Sequence, residues 1–400
     1  MAVSKQPDMR YVVCIPDGAA DEPLDELGGR TPLEAAAMPN LARLAAAGEV
    51  GRAATIPAGL PPGSDVGNMA ILGYDPGRYH TGRAPIEAAA MGVNLEPGQV
   101  AYRCNLVTLD DSTGTMVDFS AHHIATELST PIIEAVDAEL GAGRDGLWFH
   151  PGVMYRHVMV APAELGKAEC VPPHDLTAKT AVYPEGPAAA ELRRIMEASK
   201  EIVRAKAAEL GADATQVWLW GQGTRPMLPS FRDRWGLSGR LVTAVDLIRG
   251  LGVLSGIDPV EVPGATGYYD TDYEAKRDAC LTSLADRDLF VIHVEASDEA
   301  GHNGEADRKV EALENWDRRI IGPLVEALDD LGPWRLMLMP DHATPCVLRT
   351  HTPDPVPYLI YDPAEPGPGG VYTERGVEHH PAVPAHDLMA KFLRREPAIA

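Results

Sequence analysis

Cysteine is scarce: there are five in 400 residues, at positions 14, 104, 170, 280 and 346, and none stands in a C-x-x-C pair. That odd, scattered set excludes a disulfide framework and a zinc ribbon. Positive charge is also in short supply, with 35 Lys and Arg against 58 Asp and Glu and a formal net charge of −23. A field of that sign repels phosphate backbones and anionic lipid, so neither nucleic acid nor a membrane surface is expected as a partner. No apolar run approaches the roughly 18 residues needed to cross a bilayer. The opening MAVSKQPDMR carries no apolar stretch of the secretory kind, so a cytoplasmic location is expected. There is no internal repeat and no low-complexity segment. A G-x-x-x-x-G-K-[ST] loop is missing too, which excludes a P-loop kinase.

What is present is ordinary in bulk: 23% charged and 45% hydrophobic residues, enough for a large core and for two domains or one domain with an insertion. Short apolar runs alternate with Ala/Leu/Glu-rich helical stretches. YVVCIPDG (11–18), DLFVIHVEASD, WRLMLMPDH (334–342) and VPYLIYD (356–362) read as strands, and HDLMAKFLRRE (386–396) as a closing helix. Residues 31–48 read as helical in two parts, broken at Pro39 and stopped at Gly48. This alternation predicts an α/β fold with a mostly parallel sheet. The middle differs. A hairpin at 101–119, a helix at about 124–140, the strand pair GLWFH and YRHVMVAP, a helix at 188–209 and TQVWLWGQG (215–223) predict a smaller α+β domain. The expected division is a core in two parts, 1–99 and 221–400, around an insertion at 100–220.

Open α/β sheets gather ligand sites at the carboxyl ends of their strands. Four candidate strand ends carry ligand types: Asp17; Asp298 with His302; Asp341 with His342; and His351 in RTHTPDP. Singly each has an ordinary explanation, since an Asp-Gly is usually a turn and an Asp four residues before a His is often a local hydrogen bond. Together they point to a metal site, because every one follows or neighbours a core strand. Mixed carboxylate and imidazole ligands suit Mn²⁺ or Zn²⁺ better than Ca²⁺. Six such ligands are too many for one tetrahedral zinc and suit two ions about 3.5–4 Å apart, the arrangement of phosphoryl chemistry. Ser64, in GLPPGSDVGNMAIL, opens a helical stretch. It is either a plain N-cap or a nucleophile with phosphate held at the helix N-terminus.

IPDGAADEPLDELGGRTPLEAAAMPNLARLAAAGEVG, PGSDVGNMAILGYDPGRYHTGRAPIEAAAMG, HVEASDEAGHNGE and MPDHATPCVLRTHTPDPVPYLIYD together resemble the archaeal-type cofactor-independent phosphoglycerate mutases of the alkaline phosphatase-like superfamily. The resemblance runs through nearly the whole chain in order. It implies a core with two divalent metals, Mn²⁺ first and Zn²⁺, Co²⁺ or Mg²⁺ as alternatives, and a transient phosphoserine. Carried over by position, Asp17, Ser64, Asp341 and His342 would surround one metal, and Asp298, His302 and His351 the other. Ser64 would take the phosphate from 3-phosphoglycerate and return it to the 2-hydroxyl of retained glycerate, with no 2,3-bisphosphoglycerate needed. The insertion would act as a lid and grip the small phosphorylated acid. Cations are expected for that grip: Arg83, His123, Arg156, His157, Lys179, Arg225 and Lys276. Oligomeric state is not legible. Two alternatives stay open. Bacterial members resembling this chain in VMYRHVMV, PPHDLTAK and WLWGQG have been proposed as homoserine kinases, and a non-catalytic binding module could occupy the same fold.

Overall fold

The computed structural model describes residues 8–399. The opening residues 1–7, part of the segment read as lacking a secretory stretch, lie outside that range. Two compact units divide the chain: one runs up to His80 and resumes at Leu228, and the other is Thr81–Met227. The expected insertion, 100–220, falls within the second unit, which also takes in the helix Ala84–Ala90.

Among the described residues, thirteen strands form two sheets. They are β1 (Arg10–Pro16), β2 (Glu49–Ala54), β3 (Gln99–Asp110), β4 (Thr115–Asp118), β5 (Trp148–His150), β6 (Arg156–Pro162), β7 (Gln216–Gly223), β8 (Gly239–Val242), β9 (Ile257–Pro259), β10 (Leu289–Val294), β11 (Trp334–Leu338), β12 (Val356–Tyr361) and β13 (Ala382–Pro384). The first unit holds an eight-stranded sheet in the order β13-β2-β12-β11-β1-β10-β8-β9. Its centre, β11-β1-β10-β8, is parallel. β12 runs antiparallel to both its neighbours.

β1, β10 and β11 are buried at every position, as strands covered on both faces must be. Three adjacent parallel strands therefore deliver their following loops to one edge. Asp17 follows β1, Asp298 lies beyond β10, and Asp341 and His342 lie beyond β11. Two glycines let these segments close up. Gly18 has φ +60°, and a Cβ there would strike the side chains of Asp298 and Thr344. Gly67, on the helix Ser64–Ile71, lies against the carbonyl of Asp341, so any side chain would push the helix off the strand end.

The second unit has a sheet in the order β4-β3-β6-β5, with β7 also paired to β3. The helices Thr126–Leu140 and Ala189–Leu210 cover one face, over a core that includes Tyr102, Cys104, Leu106 and Trp218. The other face is not bare. Ala84 and Ala88 of the helix Ala84–Ala90 pack there on Ala101, Val158 and Val160. That second layer is why β3 shows almost unbroken burial rather than alternation. The two ends of this unit meet: Thr81 Oγ1 donates to the carbonyl of Thr224, and Gly82 and Gly223 pack so closely that a Cβ on either would strike the facing backbone.

One partly buried carboxyl of the first unit makes its stability depend on pH. Glu374 accepts from the backbone N–H of Asp21 at 2.9 Å and from Thr31 Oγ1 at 2.6 Å, beside a cavity of about 290 Å³ that Arg52 and Arg375 also line. Burial, against those hydrogen bonds, pushes its pKa from 4.5 up to about 7. The folded state then binds this proton more tightly than the unfolded chain. The fold loses stability as pH rises from about 4.5 through about 7. Glu374→Gln is expected to raise unfolding stability at pH 8 by about 1–3 kcal/mol and to leave it unchanged near pH 5. Denaturant titrations at the two pH values check this; an equal effect at both would remove the ionisation argument.

Candidate metal centre

Ser64 begins the helix Ser64–Ile71, but Gly63 holds the N-cap position and no side chain caps it. The serine hydroxyl is thus left for other work, and it lies 3.2 Å from His342 Nε2. Asn68, one turn along, donates to the carbonyl of Ser64 at 2.9 Å and to Asp341 Oδ2 at 2.7 Å. The N–H of Gly18 donates to Asp341 Oδ1 at 3.1 Å. His342 Nε2 also lies 3.5 Å from both Asp17 Oδ1 and Asp341 Oδ2. Asp17, Asp341 and His342 are all buried, and each offers a ligand atom within 4.8 Å of the others.

Asp298, His342 and His351 form a second such group. His302 joins it: its Nε2 is 2.9 Å from His351 Nε2 and 3.4 Å from Asp298 Oδ2. His342 thus stands between both groups, where the resemblance would place it in one.

Neighbouring groups fix the tautomers. Thr344 Oγ1 gives its one hydrogen to Asp298 Oδ1 at 2.5 Å, so it can only accept from His342 Nδ1, 3.2 Å away. His342 Nε2 is then left with its lone pair. Burial pulls the His342 pKa down to about 4, which keeps that lone pair free. In the same way His302 Nδ1 donates to the carbonyl of Arg349 at 3.1 Å. Arg349 holds a left-handed φ of 57°, an uncommon conformation for a bulky residue. Both rings turn Nε2 toward the carboxylates, as metal-ligating histidines do.

The electrostatics call for a cation. Burial, with the charges of Asp341 and Asp298, pushes the Asp17 carboxyl well above its usual range, against the pull of His293. Burial would also raise Asp298, but His302 and His351 outweigh it and hold that carboxyl well below its usual range. Asp17 Oδ1 is buried without a hydrogen-bond partner. Such an atom costs free energy unless something positive meets it.

The substrate cations expected from the sequence divide. Arg83 and Arg156 both act on the charge of Arg103, a buried guanidinium that pairs with Glu87 at 2.9 Å and lies 4.1 Å from the Trp220 ring. Arg103 was not among the expected residues, although a charge inside the apolar run of β3 was a visible signal. His123 is exposed and packs edge-on to Tyr155. Lys179 is exposed and donates to the carbonyl of Asp175, and Arg225 is exposed. Two of the expected cations are enclosed. His157 is buried, its Nδ1 accepts from the N–H of Gly152, and burial pulls its pKa to about 3. A neutral, enclosed ring cannot grip an anion. Lys276 is fully buried, 2.6 Å from Glu295 Oε2, so its charge is already spoken for. Asn68, Thr344 and His293 were also missed.

Fold and site together define an α/β protein whose parallel strands present a carboxylate–imidazole cluster that could hold a metal ion, with a serine beside it. A relative from Methanosarcina acetivorans, named 2,3-bisphosphoglycerate-independent phosphoglycerate mutase, is 43% identical over 402 residues, covering 96% of this chain and 100% of that one. The chain belongs to the 2,3-bisphosphoglycerate-independent phosphoglycerate mutases, and the family model of that description matches residues 45–208. A Methanosarcina barkeri relative of the same name is 46% identical over 363 residues, covering 88% of this chain and 90% of that one. The solved structure of a Pyrococcus horikoshii protein superposes with a TM-score of 0.77 at 26% identity, covering 98% of this chain and 100% of that one. These relatives give no support to the kinase or the non-catalytic alternative. Among the described residues, no helix is long and apolar enough to cross a membrane.

Proposed function

We propose that this chain interconverts 3-phosphoglycerate and 2-phosphoglycerate through a phosphoserine at Ser64, without 2,3-bisphosphoglycerate, as a cytoplasmic enzyme of glycolysis and gluconeogenesis. The observation that carries this reading is the uncapped Ser64 hydroxyl, 3.2 Å from an unprotonated His342 Nε2 at the edge of a carboxylate cluster short of positive charge.

The donor set fits two divalent cations, with Mn²⁺ the leading identity and Zn²⁺, Co²⁺ or Mg²⁺ as alternatives. Asp17, Ser64, Asp341 and His342 would hold one, and Asp298, His302 and His351 the other. Such ions supply a lowered pKa for the serine hydroxyl and neutralise charge on the phosphoryl oxygens. Ser64 Oγ then attacks phosphorus, the bond to O3 of the acid breaks, and O3 takes up a proton. In the return step the 2-hydroxyl loses a proton and attacks the phosphoserine, which restores Ser64. In the first half Ser64 loses its hydroxyl proton as O3 gains one, and in the second the 2-hydroxyl loses a proton as Ser64 Oγ regains one, so each half balances. Asn68 holds Asp341 to the backbone of Ser64, which keeps nucleophile and ligand in register.

The second unit recognises the acid. Arg83, Arg103 and Arg156 put three guanidinium groups on one neighbourhood with Glu87 as a counter-charge, an arrangement suited to a carboxylate. The test is an enolase-coupled assay with 3-phosphoglycerate and Mn²⁺. Wild-type protein should turn over without added 2,3-bisphosphoglycerate, and no product would sink the reading. Arg156→Ala should lower mutase turnover by about 10²-fold or more while sparing slow hydrolysis of p-nitrophenyl phosphate. Arg156→Lys should rescue little, because an ammonium lacks the two-pronged geometry. A parallel fall of both activities would instead assign Arg156 to folding.

A further inference from the structure

A buried line of ionisable side chains runs behind Asp17. Lys276 Nζ lies 2.6 Å from Glu295 Oε2, Glu295 Oε1 lies 3.1 Å from His293 Nδ1, and His293 Nε2 lies 3.2 Å from Asp17 Oδ2. Lys276 and His293 have no exposure, Asp17 has 2% and Glu295 3%. The line is anchored at several points. Thr243 Oγ1 and the N–H of Ala244 donate to Glu295 Oε1 at 3.1 and 2.7 Å, and Lys276 donates to the carbonyl of His293 at 2.9 Å.

Four buried ionisable side chains cost a great deal unless each is paired, and packing does not require them. His293 sits in β10 among Phe290, Val291, Ile292 and Val294, where another aliphatic residue would serve the sheet. The line ends on one oxygen of one carboxylate. Asp17 Oδ2 faces His293 Nε2 at 3.2 Å, a close contact outside hydrogen-bond geometry, whereas Asp17 Oδ1 has no hydrogen-bond partner and lies 3.5 Å from His342 Nε2.

We infer that Lys276, Glu295 and His293 form a positioning device that engages Asp17 Oδ2, so that Asp17 presents Oδ1 alone to the cation. The inference rests on the proposed cation site and deepens it. A carboxylate with both oxygens free can chelate an ion and fill two coordination positions. A carboxylate held by one oxygen fills one and leaves a position for Ser64 or a phosphoryl oxygen. His293 is therefore a positioning residue that acts through Asp17.

Electron paramagnetic resonance of free Mn²⁺, with circular dichroism to verify folding, tests this. Wild type should bind two ions. In His293→Leu one of the two should bind about 10- to 100-fold more weakly, the range for partners that orient metal ligands, and the other should keep its affinity. His293→Gln, which keeps a donor near the Nε2 position, should recover much of the loss. In the Co²⁺ form of His293→Leu, a second bound oxygen should weaken the visible bands as coordination number rises. If His293→Leu does not fold, Glu295→Gln carries the test, with a smaller loss at the same ion expected. A folded His293→Leu (or, in its place, Glu295→Gln) that binds both ions as wild type does overturns the inference. So does a His293→Gln no better than His293→Leu, because that pattern reports packing. A wild-type protein that binds no Mn²⁺ overturns the proposed cation site itself.

Discussion

Ser64→Ala protein is expected to fold as wild type does and to lose mutase turnover by at least about 10³-fold, the scale for removal of a nucleophile that acts in concert with its partners. The structure makes this a clean experiment. A serine at the N-cap would lose about 1 kcal/mol of stability on truncation, and catalytic and structural effects would mix. Here Gly63 holds that position, and the Ser64 hydroxyl makes no capping bond. Removing it gives up only the bond to His342 Nε2, about 0.5–1.5 kcal/mol, and leaves the helix start intact. Thermal melts, the enolase-coupled assay and intact-mass detection of phosphate on Ser64 measure the three quantities separately. Turnover that survives the substitution would end the phosphoserine mechanism.

Removing divalent cations should abolish turnover altogether, and Mn²⁺ should restore it. The stripped protein also keeps Asp17, Asp298 and Asp341 crowded together, so cation binding should stabilise the fold as well as activate it. At a free concentration of 100 times the dissociation constant the gain is about 2.7 kcal/mol, readable as a higher melting temperature. Affinity should fall in acid, because carboxylates and imidazoles must shed protons to bind. Activity that persists after chelation, with no metal by elemental analysis, would remove the mechanism.

Much of the fold was legible because buried strands declare themselves as apolar runs. The direction of a strand does not. VPYLIYD was readable as a strand, but nothing in its apolar run says that β12 lies antiparallel to its neighbours. The site was legible to the extent that its ligand types follow strands. His342 was readable as a candidate ligand, but its position between both groups depends on where Thr344 and Asp298 sit, and that is a matter of folding. His293 was hidden by its own surroundings, one imidazole inside LFVIHV, although Glu295 two positions later was a hint of paired burial. Lys276 misled for the opposite reason. It lies in the polar run DTDYEAKRDAC, yet Tyr273, Lys276, Cys280 and Ser283 share the buried side of their helix. That spacing, read closely, would have placed the lysine inside.

The clasp at Thr81–Gly82 and Gly223–Thr224 bears on how such a chain can change over generations. Because the second unit holds its own ends together, the host sheet meets it as a short closed loop, and a short closure costs little entropy whatever the length of what it encloses. A unit joined in this way behaves as a cassette. Its arginines can be redrawn, or the whole segment exchanged for another closed fold, without a change at any strand end that carries Asp17, Asp298 or Asp341. On the proposed reading, in which this unit grips the acid, new acceptors can be tried against an inherited phosphoryl-transfer chemistry one cassette at a time.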